Sequence, residues 1–175
     1  MTWAVIRKAR PGDLETLQAI EVLAGEAFRA VGLDAIADDD PPNLNDLRGY
    51  AVAGRAWVAT DSVDSPIAYI LVDEIDQGAH IAQVTVHPQR SRQGIGKALI
   101  EEVERWARSC GLQALTLTTF SEVPWNAPYY ARLGFTELPE PQWTEDLHRI
   151  VEMEASQGLG AWPRVVMRRN VTAGE

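Results

Sequence analysis

The sequence predicts an α/β fold in which one mixed β-sheet is flanked by helices on both faces. Three observations carry this prediction. The second half of the chain alternates short β-rich runs with amphipathic segments, which is typical of strands and helices packed in layers. Three β-rich runs in succession precede that alternation, so antiparallel and parallel neighbours are expected in one sheet. The length of 175 residues suits a single domain, expected to span residues 1–175.

The chain is predicted to begin with a strand and a helical region. Trp3–Arg7 alternates apolar and polar residues, as a strand does. Pro11-Gly12-Asp13 is expected to start a helix, with Asp13 as its N-cap, and the helical pattern continues in pieces to about Ala37. Asp38–Asn45 contains two prolines and is predicted to be a loop.

Three β-rich runs come next and are expected to form an antiparallel meander. They are Ala51–Ala59, Ile67–Ile75 and His80–Val86, with turns at Asp61–Pro66 and Gln77-Gly78.

The remaining elements alternate between helix and strand. In chain order, we predict a helix over Ile95–Cys110 capped by Gly111, a strand over Ala114–Phe120, a short helix that begins near Pro128 and ends at Gly134, a strand from Phe135, a helix over Trp143–Gln157 and a last strand over Trp162–Val171.

Composition excludes several classes of protein. A net charge of −9 argues against a protein that binds nucleic acid through a general basic surface. No run of about 18 apolar residues predicts a membrane span, and the N-terminus lacks the apolar run of a secretory signal, so a cytoplasmic location is expected. The single cysteine, Cys110, excludes an internal disulfide, and the scattered histidines lack zinc spacing, so no metal is expected.

The most informative segment is Gln83–Leu99, which reads QVTVHPQRSRQGIGKAL. An apolar strand runs into a bend at His87-Pro88, and a basic turn with two glycines then opens directly into the long helix. Free backbone amides and a helix N-terminus favour a bound phosphate, and the glycines let the backbone approach a ligand closely. The spacing matches neither the P-loop nor the dinucleotide fingerprint. From the turn alone, glycines that merely permit tight packing explain it equally well.

Two motifs together resemble the GNAT superfamily of N-acetyltransferases. The strand, turn and helix are similar to that family's acetyl-CoA pyrophosphate loop. The segment Asn126-Ala-Pro-Tyr-Tyr-Ala-Arg-Leu-Gly-Phe135 is similar to its aromatic-Tyr-x-x-x-Gly-Phe signature. One helix and one strand separate the motifs, as in the family. The resemblance covers most of the chain and implies the GNAT fold, with acetyl transfer from the co-substrate acetyl-CoA to a primary amine in a ternary complex.

The resemblance implies a set of residues that bind acetyl-CoA. The backbone of Val84 and Val86 is expected to pair with the pantetheine arm, and a backbone N–H there is the expected oxyanion donor. Asn126 either caps its helix or hydrogen-bonds the pantetheine. The residues expected to hold the pyrophosphate are Arg92, Gln93, Gly94, Ile95, Gly96 and Lys97. Ser91 departs from the family, which usually carries Gln or Arg at that position, and Arg90 and Arg92 could supply the missing charge.

The resemblance also implies catalytic roles. Tyr130 occupies the position of the general acid, and a phenol of pKa about 10 can protonate a departing thiolate of pKa about 8.5. A core tyrosine is the structural alternative. His80 falls where some members carry a catalytic glutamate, so it is the candidate base, and its ordinary pKa predicts a rate that rises near pH 6–7. Glu74 is an alternative base, and so is a water chain with no dedicated residue.

The acceptor is expected to be the amine of a small molecule, a peptide or a protein. Glu26, Glu74 and Trp125 are the candidate acceptor residues, and the acidic surroundings favour a cationic amine. No nucleic-acid or membrane partner is expected, whereas a homodimer is allowed. Its candidate contact surfaces are the last strand and the helix Trp143–Gln157, and Trp143 and Trp162, expected to be exposed, are a hint of such a surface. A non-catalytic acyl-CoA sensor and an enzyme for longer acyl groups are the competing functions.

Overall fold

The computed structural model describes residues 4–174, and within them seven strands form one mixed sheet in the order β1-β2-β3-β4-β5-β7-β6. The pairs β1–β2, β2–β3, β5–β7 and β6–β7 are antiparallel, whereas β4 and β5 are parallel. The predicted mixed sheet is therefore confirmed. The strands are β1 Val5–Lys8, β2 Ala56–Thr60, β3 Pro66–Ile75, β4 Gly78–Val86, β5 Ala114–Phe120, β6 Thr136–Glu137 and β7 Arg164–Asn170.

Helices flank this sheet, and their order matches the sequence prediction except for one additional helix before β2. They are α1 Leu14–Gly25, α2 Asp34–Ala37, α3 Leu44–Val52, α4 Ile95–Ser109, α5 Ala127–Arg132 and α6 Glu145–Ser156. Short 3-10 turns lie at Pro11–Asp13, Glu26–Val31, Pro88–Arg90, Glu140–Gln142 and Leu159–Ala161. No helix of residues 4–174 combines the length and apolar character needed to cross a bilayer.

The predicted strand Ala51–Ala59 is wrong at its start. Helix α3 occupies the chain through Val52, and β2 begins only at Ala56. Asn43 caps α3, because its side-chain oxygen accepts a hydrogen bond from the amide of Asp46 at 2.8 Å. The predicted loop before it therefore ends sooner than its composition indicated.

Asp13 does not cap α1 with its side chain. Its carboxylate instead accepts hydrogen bonds from the guanidinium of Arg7 and from the amide of Arg10, each at 2.7 Å. Burial opposes the charge of Asp13, but these hydrogen bonds outweigh burial and lower its pKa below the usual range. Of the predicted first strand, Trp3 lies outside the described residues.

The chain divides into two compact units. Unit 1 contains Met1–Val72 and Ala82–Val103, and unit 2 contains Asp73–Ile81 and Glu104–Glu175. Each unit buries apolar side chains of its own: Leu17, Ile20, Leu47, Val58 and Tyr69 are among those of unit 1, and Leu115, Leu117, Phe135, Leu147 and Val166 among those of unit 2. A single domain over the whole chain stays a prediction.

Trp143 and Trp162 of unit 2 are half-buried, which corrects their expected exposure. The indole N–H of Trp143 donates to the carbonyl of Leu138 at 2.7 Å. Trp162 packs edge to face on Phe120, with ring centroids 6.3 Å apart. Both side chains are thus engaged within unit 2, so they give little support to a dimer surface.

Candidate active site

The basic turn of unit 1 presents a series of free backbone amides. The amides of residues 92–97 donate no hydrogen bond to any described residue. Arg92 and Gly94 adopt left-handed φ angles of 60° and 77°, so the chain doubles back immediately before α4. The first intrahelical bond runs from the amide of Ala98 to the carbonyl of Gly94 at 3.0 Å. These amides and the positive end of α4 together suit an anion such as a pyrophosphate.

The side chains of the same turn have two roles: Ser91 stabilises the turn, whereas Arg92 and Lys97 place positive charge on the surface. The hydroxyl of Ser91 donates to the carbonyl of Pro88 at 2.9 Å, so this serine orders the turn and does not reach outward. Arg92 is exposed, and Lys97 is exposed beside Glu101, with 3.6 Å between the charged atoms. Because such an exposed ion pair is weak, Lys97 stays available to an incoming anion.

The second half of β4 does not pair with β5. Its parallel pairing with β5 comprises Ala79 with Leu115 and His80 with Thr116. No residue of Ala82–Val86 continues that register among the described residues. Ala82 is exposed, and Val84 and Val86 are only half-buried. An extended ligand can therefore hydrogen-bond this segment of unit 1 as an added strand would.

Tyr130 lies on α5 in unit 2 with a hydroxyl that no residue of 4–174 binds. Its ring contacts those of Tyr129 and Phe135, with centroid distances of 5.3 and 5.9 Å. Burial of the phenol, and secondarily the neighbouring Tyr129, raise the pKa of Tyr130 above its usual range. The phenol thus keeps its proton at neutral pH.

Asn126 does not cap α5 with its side chain, so one of its two expected roles is wrong. Its side-chain oxygen instead accepts the hydroxyl of Thr119 at 2.9 Å. Its side-chain nitrogen Nδ2 donates to nothing within the described part of the chain. It can therefore donate to a ligand.

His80 is 3% exposed, and its Nδ1 lies 2.9 Å from the hydroxyl oxygen of Thr116. Burial lowers the pKa of His80 to about 4, and the charges of Asp73 and Asp76 oppose that shift only in part. The imidazole is neutral at pH 7. A rate that rises near pH 6–7 is therefore no longer the expected signature of His80.

The three candidate acceptor residues have different surroundings. Glu26 of unit 1 already pairs with Arg29 at 2.9 Å. Glu74 of unit 2 is exposed and lines a surface depression of about 350 Å³, together with Asp76 and Cys110. Trp125, also of unit 2, is 39% exposed.

Glu21 was not predicted as a site residue, yet three polar side chains of unit 1 converge on its carboxylate. They are Tyr69, Gln83 and Thr85. A signal existed in the sequence, because Glu21 follows the buried Leu14 and Leu17 at helical spacing, where an apolar residue is expected.

The model of the Acetyltransferase (GNAT) family matches residues 17–135, which is more than half of the chain. The chain belongs to the GNAT family. Both motifs lie within the matched range, and membership supports acyl transfer from an acyl-CoA as the general class of reaction.

Solved GNAT acetyltransferases share the fold. N-acetylglutamate synthase from Neisseria gonorrhoeae, complexed with coenzyme A and N-acetyl-glutamate, has a TM-score of 0.71 at 15% identity; the match covers 99% of this chain but only 36% of the synthase. The ribosomal-protein-S18-alanine N-acetyltransferase from Escherichia coli has a TM-score of 0.65 at 20% identity, covering 98% of this chain and 97% of the other. Phosphinothricin acetyltransferase from Sinorhizobium meliloti, complexed with AcCoA, has a TM-score of 0.66 at 21% identity, covering 99% and 91%.

Proposed function

We propose that this chain is an acetyl-CoA-dependent N-acetyltransferase that acts on a primary amine by direct attack in a ternary complex. One observation carries the proposal: unit 1 combines the free amides of residues 92–97 with a segment of β4, Ala82–Val86, that does not pair with β5. The amides suit the pyrophosphate of acetyl-CoA, and the edge of β4 that β5 leaves open suits its pantetheine arm. Gln93, Ile95 and Gly96 contribute main-chain groups only in this proposal.

In the proposed reaction, the lone pair of the amine attacks the thioester carbonyl, and the carbon–sulfur bond breaks as the intermediate collapses. A backbone N–H of Val84 or Val86 stabilises the oxyanion. Tyr130 gives its proton to the leaving thiolate and is later reprotonated from solvent. Its raised pKa keeps the phenol protonated until the thiolate forms. The same desolvation makes the thiolate more basic, which favours the transfer.

The amine must lose a proton before it attacks. His80 is neutral at pH 7 and can accept one, although its lowered pKa makes it a weak base. Its ring nitrogen already contacts Thr116, which fixes its orientation. Glu74 and a water chain are the other routes that this proposal allows.

A thiol-release assay tests the proposal. Acetyl-CoA is offered with polyamines, aminoglycosides, amino acids and basic peptides, and cofactor binding is measured separately by calorimetry. Release with one class of amine supports an N-acetyltransferase. Tight binding without release favours the acyl-CoA sensor, and the absence of both overturns the proposal. A cytoplasmic location and a homodimer stay predictions of the sequence.

A further inference from the structure

Glu21 on α1 is the centre of a hydrogen-bonded cluster within unit 1. Its Oε2 accepts the hydroxyl of Tyr69 at 2.6 Å and the hydroxyl of Thr85 at 2.7 Å. Its Oε1 accepts the side-chain amide of Gln83 at 3.1 Å, and that amide also donates to Thr85 at 2.8 Å. One carboxylate thus joins α1 to β3 and β4.

No cation of the described chain pairs with Glu21. Two other sheltered glutamates differ in this respect: Glu104 pairs with Arg169 at 2.8 Å, and Glu154 pairs with Arg164 at 3.1 Å. The donors to the carboxylate of Glu21 are all neutral side chains, so they stabilise its charge without neutralising it. Within residues 4–174 the carboxylate of Glu21 thus has no cationic partner, and a cationic ligand can supply one.

The cluster can accept such a partner. Each carboxylate oxygen has two lone pairs, and Oε1 of Glu21 uses one of them on Gln83. Glu21 is half-buried, so a ligand can reach it, whereas Tyr69 and Thr85 are buried and hold the carboxylate in place. The site is thus ordered before a ligand arrives, which lowers the entropic cost of binding.

We propose that Glu21 binds the ammonium group of the acceptor and makes the enzyme selective for aliphatic amines over uncharged aromatic amines. This inference rests on the proposed function. Thr85 lies between Val84 and Val86, whose backbone is proposed to hold the pantetheine, and its hydroxyl donates to Glu21 at 2.7 Å. An ammonium on Glu21 is accordingly held beside the strand that orients the thioester. Glu21 acts here as a binding residue, and the proton leaves by the separate route of the base.

Benzylamine and aniline are the two probes of the experiment. Benzylamine is an ammonium at neutral pH, whereas aniline of similar size is uncharged. Dissociation constants for both are measured by calorimetry on the protein saturated with coenzyme A, and KM values are measured by thiol release. The variants are Glu21→Gln, Tyr69→Phe and the control Glu15→Gln, which removes one exposed carboxylate from the same helix.

We expect Glu21→Gln to weaken benzylamine binding by at least about tenfold, the effect of losing one charge-assisted hydrogen bond. Aniline binding and acetyl-CoA binding should change little, and Glu15→Gln should alter neither of them nor the unfolding midpoint. Tyr69→Phe keeps the charge and should retain the preference for benzylamine. This variant also provides the test if Glu21→Gln does not fold.

Several results overturn the inference. The inference fails if Glu21→Gln weakens the binding of both amines equally, or if it leaves benzylamine binding unchanged. The inference also fails if Tyr69→Phe no longer prefers benzylamine to aniline, or if the wild-type protein does not bind benzylamine. The proposed function fails by a different result. If benzylamine binding depends on Glu21 but no amine causes thiol release, the ammonium site is supported and acetyl transfer is contradicted. Thiol release with an unchanged KM in Glu21→Gln supports acetyl transfer and contradicts the ammonium site.

Discussion

His80 and Thr116 form a hydrogen-bonding contact of 2.9 Å between two parallel strands, and both side chains are buried. The pairing of β4 with β5 places these two residues directly opposite each other. Since burial dominates over the nearby carboxylates, the pKa of His80 falls to about 4. The burial of His80 therefore sets how stability and rate are expected to depend on pH.

Stability should decrease as the pH falls from about 6.5 to about 4. The unfolded chain protonates His80 near pH 6.5, whereas the folded chain resists protonation until about pH 4. Between these values the unfolded state binds more protons, which costs the folded state up to about 3 kcal/mol. Urea unfolding at neutral pH and at pH 4.5 should show a smaller loss for His80→Gln than for wild type. The control is His148→Gln, and equal losses for wild type and His80→Gln would contradict the assignment.

The pH–rate profile should distinguish the candidate bases. If His80 accepts the proton of the amine, kcat/KM should show a limb near pH 4 that disappears in His80→Gln. The measurement is the initial rate of thiol release across the pH range, with one amine at concentrations well below its KM. A limb at pH 6–7 that His80→Gln abolishes would mean that the imidazole is less desolvated than the structure indicates.

Tyr130→Phe should lower kcat by about 100-fold, the usual scale for loss of a general acid. The hydroxyl binds no described residue, and phenylalanine keeps the ring contacts with Tyr129 and Phe135, so stability should change little. The dissociation constant of acetyl-CoA should stay the same. Tyr50→Phe on α3 is the matched control, and full turnover by Tyr130→Phe would leave Tyr130 with a packing role only.

Gly94→Ala should weaken acetyl-CoA binding by about five- to thirtyfold. Gly94 has a φ of 77° with nothing within 4 Å of an added methyl, so the effect is backbone strain of about 1–2 kcal/mol and not a clash. Relaxing that strain turns the free amides away from the ligand. Gly49→Ala on α3 meets no neighbour and has ordinary helical φ, so its affinity should match wild type. Calorimetry with acetyl-CoA makes the comparison, and equal affinities for Gly94→Ala and wild type would remove the loop from the proposed site.

Local patterns predicted much of this fold. The strand Ala114–Phe120 was predicted to the residue, and α4 to within one residue of its end. The sequence analysis did not predict helix α3. The residues after Tyr50 are β-rich and indicated a strand, and the start of the helix depends on the side-chain cap of Asn43. The turn that opens α4 could be recognised from the sequence because its glycines and the start of the helix lie in consecutive residues.

Charge and burial at the site depend on residues far apart in the chain. Glu21 gains its donors from β3 and β4, and His80 loses water because β5 covers it. Sequence periodicity shows that a side chain faces inward, but not which polar group it meets there. Strand order and register decide that, because they bring distant residues into hydrogen-bonding range. The chain's own pattern thus specifies its elements, its loop and its family, whereas packing of the sheet specifies the pKa of His80 and the uncompensated charge of Glu21.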